Sequence, residues 1–143
     1  MKLLLLTLGV SVLFAAWQWF RPYEWNADPG ARYTVSRTMV ERDRSNLWLR
    51  VFLDQRGGES HDLMKPVLLL TREGREHEPA DTAMSGDEAA RMKGLVFSFW
   101  LADDDFSGPL KLKLNDGTLV IRTGDRLPRV ADGAFRVFNS TRW

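Results

Sequence analysis

From Arg32 onward, apolar and polar positions alternate with the period of two that marks half-buried strands. Arg32 to Val40 is rich in β-branched and aromatic residues. Asn46 to Asp54 sets Leu47, Leu49, Val51 and Leu53 on one face and Trp48, Arg50 and Phe52 on the other. Pro66 to Thr71 is a continuous apolar run, as expected of a strand covered on both sides, and Glu73-Gly74 turns the chain into a polar edge strand, Arg75 to Glu78. Gly94 to Ala102 aligns Leu95, Phe97, Phe99 and Leu101, leaving Val96 and Trp100 on the opposite face. Pro109 to Asn115 places Leu110, Leu112 and Leu114 inward, and Asp116-Gly117 predicts a hairpin to Thr118–Arg122.

One segment breaks the alternation. Within residues 81–93, Ser85-Gly86-Asp87-Glu88 reads as a capping box ahead of Ala89, Ala90 and Met92, with Gly94 as the stop. That pattern predicts one or two helical turns crossing between sheets. Six or seven short strands at regular spacing, with one short crossing helix, predict a mainly β domain. The spacing suits an antiparallel immunoglobulin-like β-sandwich without the Cys–Trp–Cys hallmark. Such a fold by itself says little about function.

Ahead of the domain stands a different pattern. Leu3 to Phe20 carries no charge, and Gln18 is its one strongly polar residue. Eighteen helical residues would span about 27 Å, close to the roughly 30 Å hydrocarbon core of a bilayer. Trp17, Trp19, Phe20, Tyr23 and Trp25 form an aromatic belt suited to the headgroup zone, Arg21 is long enough to snorkel, and Pro22 stops the helix. The alternative is a signal peptide released by signal peptidase, for which Leu3 to Ala16 has the right length. Its cleavage site is poor. Phe14 or Leu13 would occupy the position where a small residue is needed.

These signals divide the chain into an anchor or uncleaved signal (1–21), a stalk (22–31), a β-sandwich (32–123) and a tail (124–143) that packs on the sandwich. A signal-like start predicts the N-terminus in the cytoplasm and the domain outside. A bacterial inner membrane with the domain in the periplasm is the expected location, and a secreted or periplasmic form is the alternative. The chain holds no cysteine, so neither a disulfide framework nor a lipid-anchor cysteine is available.

Charge narrows the partners. The 20 Lys and Arg stand against 19 Asp and Glu. Setting Lys2 aside leaves the signs equal, which argues against nucleic acid, whose phosphates need a basic face. The bilayer and another membrane or periplasmic protein are the expected partners.

Candidate chemistry is thin, and no cofactor is indicated. Ser60-His61-Asp62 has the residue types of a catalytic triad, but consecutive side chains on an extended chain point to opposite faces. With His77 as the only other histidine, both are expected to be solvated loop or edge residues. Asp103, Asp104 and Asp105 offer oxygens to a hard cation such as Ca²⁺, and Glu76, His77 and Glu78 could join a transition-metal site. Neither run has a recognised ligand spacing, and solvated turns are the simpler reading. Asn139-Ser140-Thr141 matches a glycosylation acceptor by type alone.

The tail is basic and aromatic, which is unlike a disordered segment. Trp48, Phe52 and Trp100 define an apolar outer face, and Phe135, Phe138 and Trp143 give the tail its aromatic weight; together they are the candidate partner or tail-docking surface. Either the tail folds back over it, or a partner protein binds there. The expected function is a membrane-anchored, extracytoplasmic binding or assembly module without catalytic activity. A small enzyme or a Ca²⁺-binding module is the lesser alternative.

Overall fold

The computed structural model describes residues 2–20, 28–86 and 94–143, and within the N-terminal helix the side chains of residues 7–16. That helix, α1, runs Lys2–Phe20. Among the described residues nine strands follow: β1 (Tyr33–Asp43), β2 (Asn46–Gln55), β3 (Leu68–Leu70), β4 (Glu76–His77), β5 (Asp81–Ser85), β6 (Gly94–Ala102), β7 (Leu110–Leu114), β8 (Gly117–Arg122) and β9 (Phe135–Phe138). They form two open antiparallel sheets, one ordered β5-β6-β2-β1-β9 and the other β4-β3-β7-β8. The chain crosses from the first sheet to the second after β2, returns after β4, crosses again after β6 and returns after β8.

The alternation read from the sequence decides which side chains are buried. Leu47, Leu49, Val51 and Leu53 of β2 and Leu95, Phe97, Phe99 and Leu101 of β6 form one apolar cluster with Leu69, Leu110, Leu112, Leu114, Leu119 and Ile121 of the second sheet. Each such side chain contributes about 1.5–3 kcal/mol by leaving water. β3 departs from expectation: only Leu69 is fully buried, while Leu68 and Leu70 are half-covered. A sheet with a single neighbouring layer can bury only one face.

The β7–β8 hairpin turns one residue earlier than Asp116-Gly117. Leu114 pairs with Gly117, so Asn115-Asp116 make the turn, with Asn115 at φ 53°. Asparagine enters that left-handed conformation more readily than most residues, and here its side chain is held by Ala31 and Asp62. Gly117 serves close approach instead. A Cβ there would fall 2.3 Å from the Ala31 nitrogen. Residues 28–32 are pressed against the hairpin as a 3-10 turn, Pro29–Ala31, capped by Asp28. Asp28 accepts from Gly30 N–H (2.9 Å) and from Thr118 N–H (2.8 Å), tying the start of the domain to β8.

The crossing helix expected over 81–93 is not what the chain forms at its first half. Asp81–Ser85 is an edge strand paired to β6 from Asp81–Ser98 to Ser85–Gly94. An edge strand is held by main-chain bonds and needs no apolar alternation. The capping-box residues Asp87 and Glu88 lie outside the described residues. A further strand, β9, arises in the tail and pairs antiparallel with β1, from Thr38–Phe138 to Glu41–Phe135.

Among the described residues no helix is long and apolar enough to cross a membrane. The expected transmembrane helix is therefore not supported among the described residues, although α1 itself is helical. Of the expected interface residues, Trp17, Trp19 and Phe20 fall within α1 with side chains outside the described set. Arg21, Tyr23 and Trp25 lie outside the described residues altogether.

Candidate functional site

The sandwich has two ends. At the proximal end, where the chain arrives from α1, lie Asp28–Tyr33, the β2–β3 loop, the β7–β8 turn, and the facing ends of β5 and β6. The far end carries the Arg44-Ser45 turn and residues 103–106.

The three aspartates make up most of a 3-10 turn, Asp103–Phe106, directly after β6. They do not converge on a common point. Asp103 pairs with Arg42 at 3.2 Å, and Asp104 is exposed. Asp105 turns inward and is almost fully buried. One carboxylate oxygen accepts the Ala102 N–H at 2.9 Å; the other lies 3.0 Å from His77 Nε2 and 3.1 Å from Arg75 Nη1. This carboxylate is a bracket between the end of β6 and the β3–β4 hairpin. Glu76 and Glu78 are exposed to either side of His77. Among the described residues no group of three His, Asp or Glu side chains is arranged to hold a metal ion.

His61 is likewise not a solvated loop residue. Its Nδ1 lies 2.9 Å from Asn115 Oδ1, which also accepts the Asp62 N–H at 2.9 Å, so the ring nitrogen is the donor. Asn115 Nδ2 donates in turn to the Ala31 carbonyl at 2.7 Å. The Tyr33 hydroxyl accepts the His61 N–H at 3.1 Å. Ser60, His61 and Asp62 make no triad, because the imidazole is committed to fastening the β2–β3 loop onto the hairpin turn.

The tail aromatics expected to dock on the outer face around Trp48, Phe52 and Trp100 do not all do so. Trp48 and Trp100 face each other across β2 and β6, edge to face at 4.6 Å, on the outer side of the first sheet. Phe52 lies on that side beneath the Arg37 guanidinium at 4.3 Å, and Phe135 is exposed on it beside Glu41. Phe138 and Trp143 point the other way, stacked on each other at 4.3 Å and packed against the core. The tail therefore does not blanket the outer face. It lengthens the first sheet by one strand and then plugs the sandwich with Trp143.

That plug surrounds Arg122, which is fully buried. Its guanidinium donates to the carbonyls of Phe106 and Trp143, both at 2.6 Å, and to that of Arg126. Burial pushes the guanidinium below its ordinary value. Sequence reading missed this residue, because an arginine ending a strand normally reads as solvated. A cavity of about 310 Å³ opens beside the β1 bulge, lined among others by Ser36, Arg37, Asp54 and Asn139. Ser36 Oγ donates to the Phe52 carbonyl at 3.1 Å, and no histidine lines the cavity to serve it as a base.

No known protein family, curated protein or solved structure matches the chain.

Proposed function

We propose that this chain is a non-catalytic binding or assembly module, anchored by α1 and displayed on the extracytoplasmic side of a membrane. The observation that carries the reading is the exposure of α1. Leu8, Val10, Val12, Leu13 and Phe14 are all exposed, so the helix is apolar around its circumference and these side chains are not taken into the domain's core. A helix of that kind belongs in a protein core or in lipid. Together with the uncharged run from Leu3 to Phe20, this supports lipid.

The order β5-β6-β2-β1 against β4-β3-β7-β8 supports an immunoglobulin-like reading of the sandwich. It corresponds to strands D-E-B-A facing C′-C-F-G, with β9 added outside the first strand. The titratable groups best placed for chemistry, His61, His77 and Asp105, spend their hydrogen bonds on joining loops to the sandwich. What is left for recognition is the outer face around Trp48 and Trp100, an aromatic pair suited to a protein partner.

The test is fractionation of cells carrying the full chain, followed by alkaline extraction and intact mass. Retention in the membrane at full mass is the expected result. A soluble species shortened near Ala16 would assign the first segment to a cleaved signal and overturn the anchored reading. Copurification after mild solubilisation, repeated with Trp100→Ala, should recover a stoichiometric partner only with the unaltered face.

A further inference from the structure

Among the described residues of the β domain, the three most exposed large apolar side chains sit at the same end of it. Leu63 is 89% exposed, Met64 91% and Met84 85%. Leu63 and Met64 lie in the β2–β3 loop; Met84 lies near the end of β5, opposite Leu95, which is itself opposite Leu53 at the close of β2. That is the proximal end.

The loop carrying Leu63-Met64 is built rather than slack. Asp62 Oδ1 accepts the Met64 N–H at 3.0 Å, and the Asp62 carbonyl accepts the Lys65 N–H at 3.1 Å, closing a tight turn with the apolar pair at its summit. Asn115 holds one side of this turn through the Asp62 N–H, and Asp116 holds the other through the Lys65 ammonium. The Asp116 N–H donates to the Gly30 carbonyl at 3.1 Å. The apolar summit is thus fixed beside the segment through which the chain leaves for α1. Eight Cα–Cα steps from Phe20 to Asp28 reach at most about 29 Å.

We propose that Leu63, Met64 and Met84 form a second membrane contact, dipping into the headgroup–acyl boundary and seating the proximal end of the domain on the bilayer. The inference rests on the anchored reading, which brings this end to the lipid surface. Charge selects the kind of surface. Arg32 is paired with Glu59 at 3.1 Å and Lys65 with Asp116, so these two cations beside the summit are already neutralised. The attraction is apolar and does not require anionic lipid. The far end is made differently: Arg42 meets Asp103, and the Arg44 N–H meets Asp132, with no comparable apolar summit among the described residues.

Because the chain lacks cysteine, single-cysteine probes report one position each. The full chain is placed in phosphatidylcholine nanodiscs, open to water on both faces, with an environment-sensitive fluorophore on Ser11→Cys in α1, Leu63→Cys, or Ser45→Cys at the far turn. Brominated lipid and aqueous iodide then compete as quenchers. Leu63→Cys should be quenched by brominated lipid and be roughly threefold or more less accessible to iodide than Ser45→Cys, as fits a side chain about 5–10 Å into the boundary. Equal iodide access at Leu63→Cys and Ser45→Cys, with Ser11→Cys in lipid, would overturn the contact and leave the anchor standing. Shielding of Leu63→Cys from both quenchers would mean a protein contact and would also overturn it. A water-accessible Ser11→Cys defeats the anchored reading, and lipid quenching at Leu63→Cys would then stand as a peripheral contact on its own.

Discussion

Arg122 donates its Nε–H to the Trp143 carbonyl at 2.6 Å while its guanidinium carbon lies 5.1 Å from the centre of the Trp143 ring. One residue from the end of β8 and one from the tail thereby close the far end of the sandwich together. Gly124 is the residue that lets them meet, since a Cβ there would fall 2.1 Å from the Trp143 carbonyl oxygen. Trp143→Ala should destabilise the fold by about 2–4 kcal/mol, the cost of a large cavity at a packed aromatic. Arg122→Ala should cost about 3 kcal/mol by stranding buried carbonyls. Thermal melts of both variants check this, and a change within 0.5 kcal/mol (~0.5 being ordinary for a surface site) would mean the plug is dispensable.

Removing residues 135–143 takes away β9 and the plug at once and bares the edge of β1. The expected outcome is loss of cooperative unfolding and a sharp fall in recovered folded protein, with aggregation through the open edge. A normally stable truncated domain would instead assign the tail to partner binding.

Ca²⁺ at millimolar concentration should leave the melting temperature unchanged, because Asp103 is paired with Arg42 and the Asp105 oxygens are occupied by Ala102, His77 and Arg75. Asp105→Ala should destabilise the chain by about 1–3 kcal/mol through the donors it strands. A Ca²⁺-dependent rise in melting temperature that Asp105→Ala abolishes would reverse both statements.

The Asp116 carboxyl is held below its usual 3.8 chiefly by the hydrogen bond and charge of Lys65. A carboxylate whose folded value is depressed favours the fold at every pH above its ordinary value and loses that contribution as pH falls through the lowered one. Acid titration should therefore show a loss of stability below about pH 4 that is smaller in Lys65→Met. Superimposable acid limbs would show that the pair does not hold the turn.

On the outer face, Trp100→Ala should cost only about 0.5–1.5 kcal/mol, the worth of an exposed aromatic pair. Its larger effect is expected on partner recovery and on the near-ultraviolet dichroism of the Trp48–Trp100 pair. A collapse of the fold would place Trp100 in the structural framework rather than on a recognition surface.

The strands whose sequence alternates were legible before the fold was known, because alternation is imposed directly by a sheet with one buried face. β2, β6 and β7 bury the leucines, valine and phenylalanines their patterns indicated. β5 and β9 were not legible. Both are edge strands, held by main-chain pairing that leaves no mark on side-chain order, and Ser85-Gly86-Asp87-Glu88 offered a competing helical signal. The split of the aromatic surface was also hidden. Alternation could put Trp48 and Trp100 on the outer face, but the inward turn of Phe138 and Trp143 depends on which edge the tail pairs with. Arg122 and Asn115 escaped notice for a related reason. Each donates to a backbone carbonyl distant in sequence, Arg122 to that of Trp143 and Asn115 to that of Ala31, and such acceptors have no sequence signature.

β1, β2 and β6 run from the proximal end of the domain to its far end, so the Trp48–Trp100 face lies along that axis rather than across it. On the anchored reading this face looks sideways, at whatever stands next to it on the same membrane. Recognition would then be a search in two dimensions among tethered neighbours, where local density rather than intrinsic affinity governs how often the face is occupied.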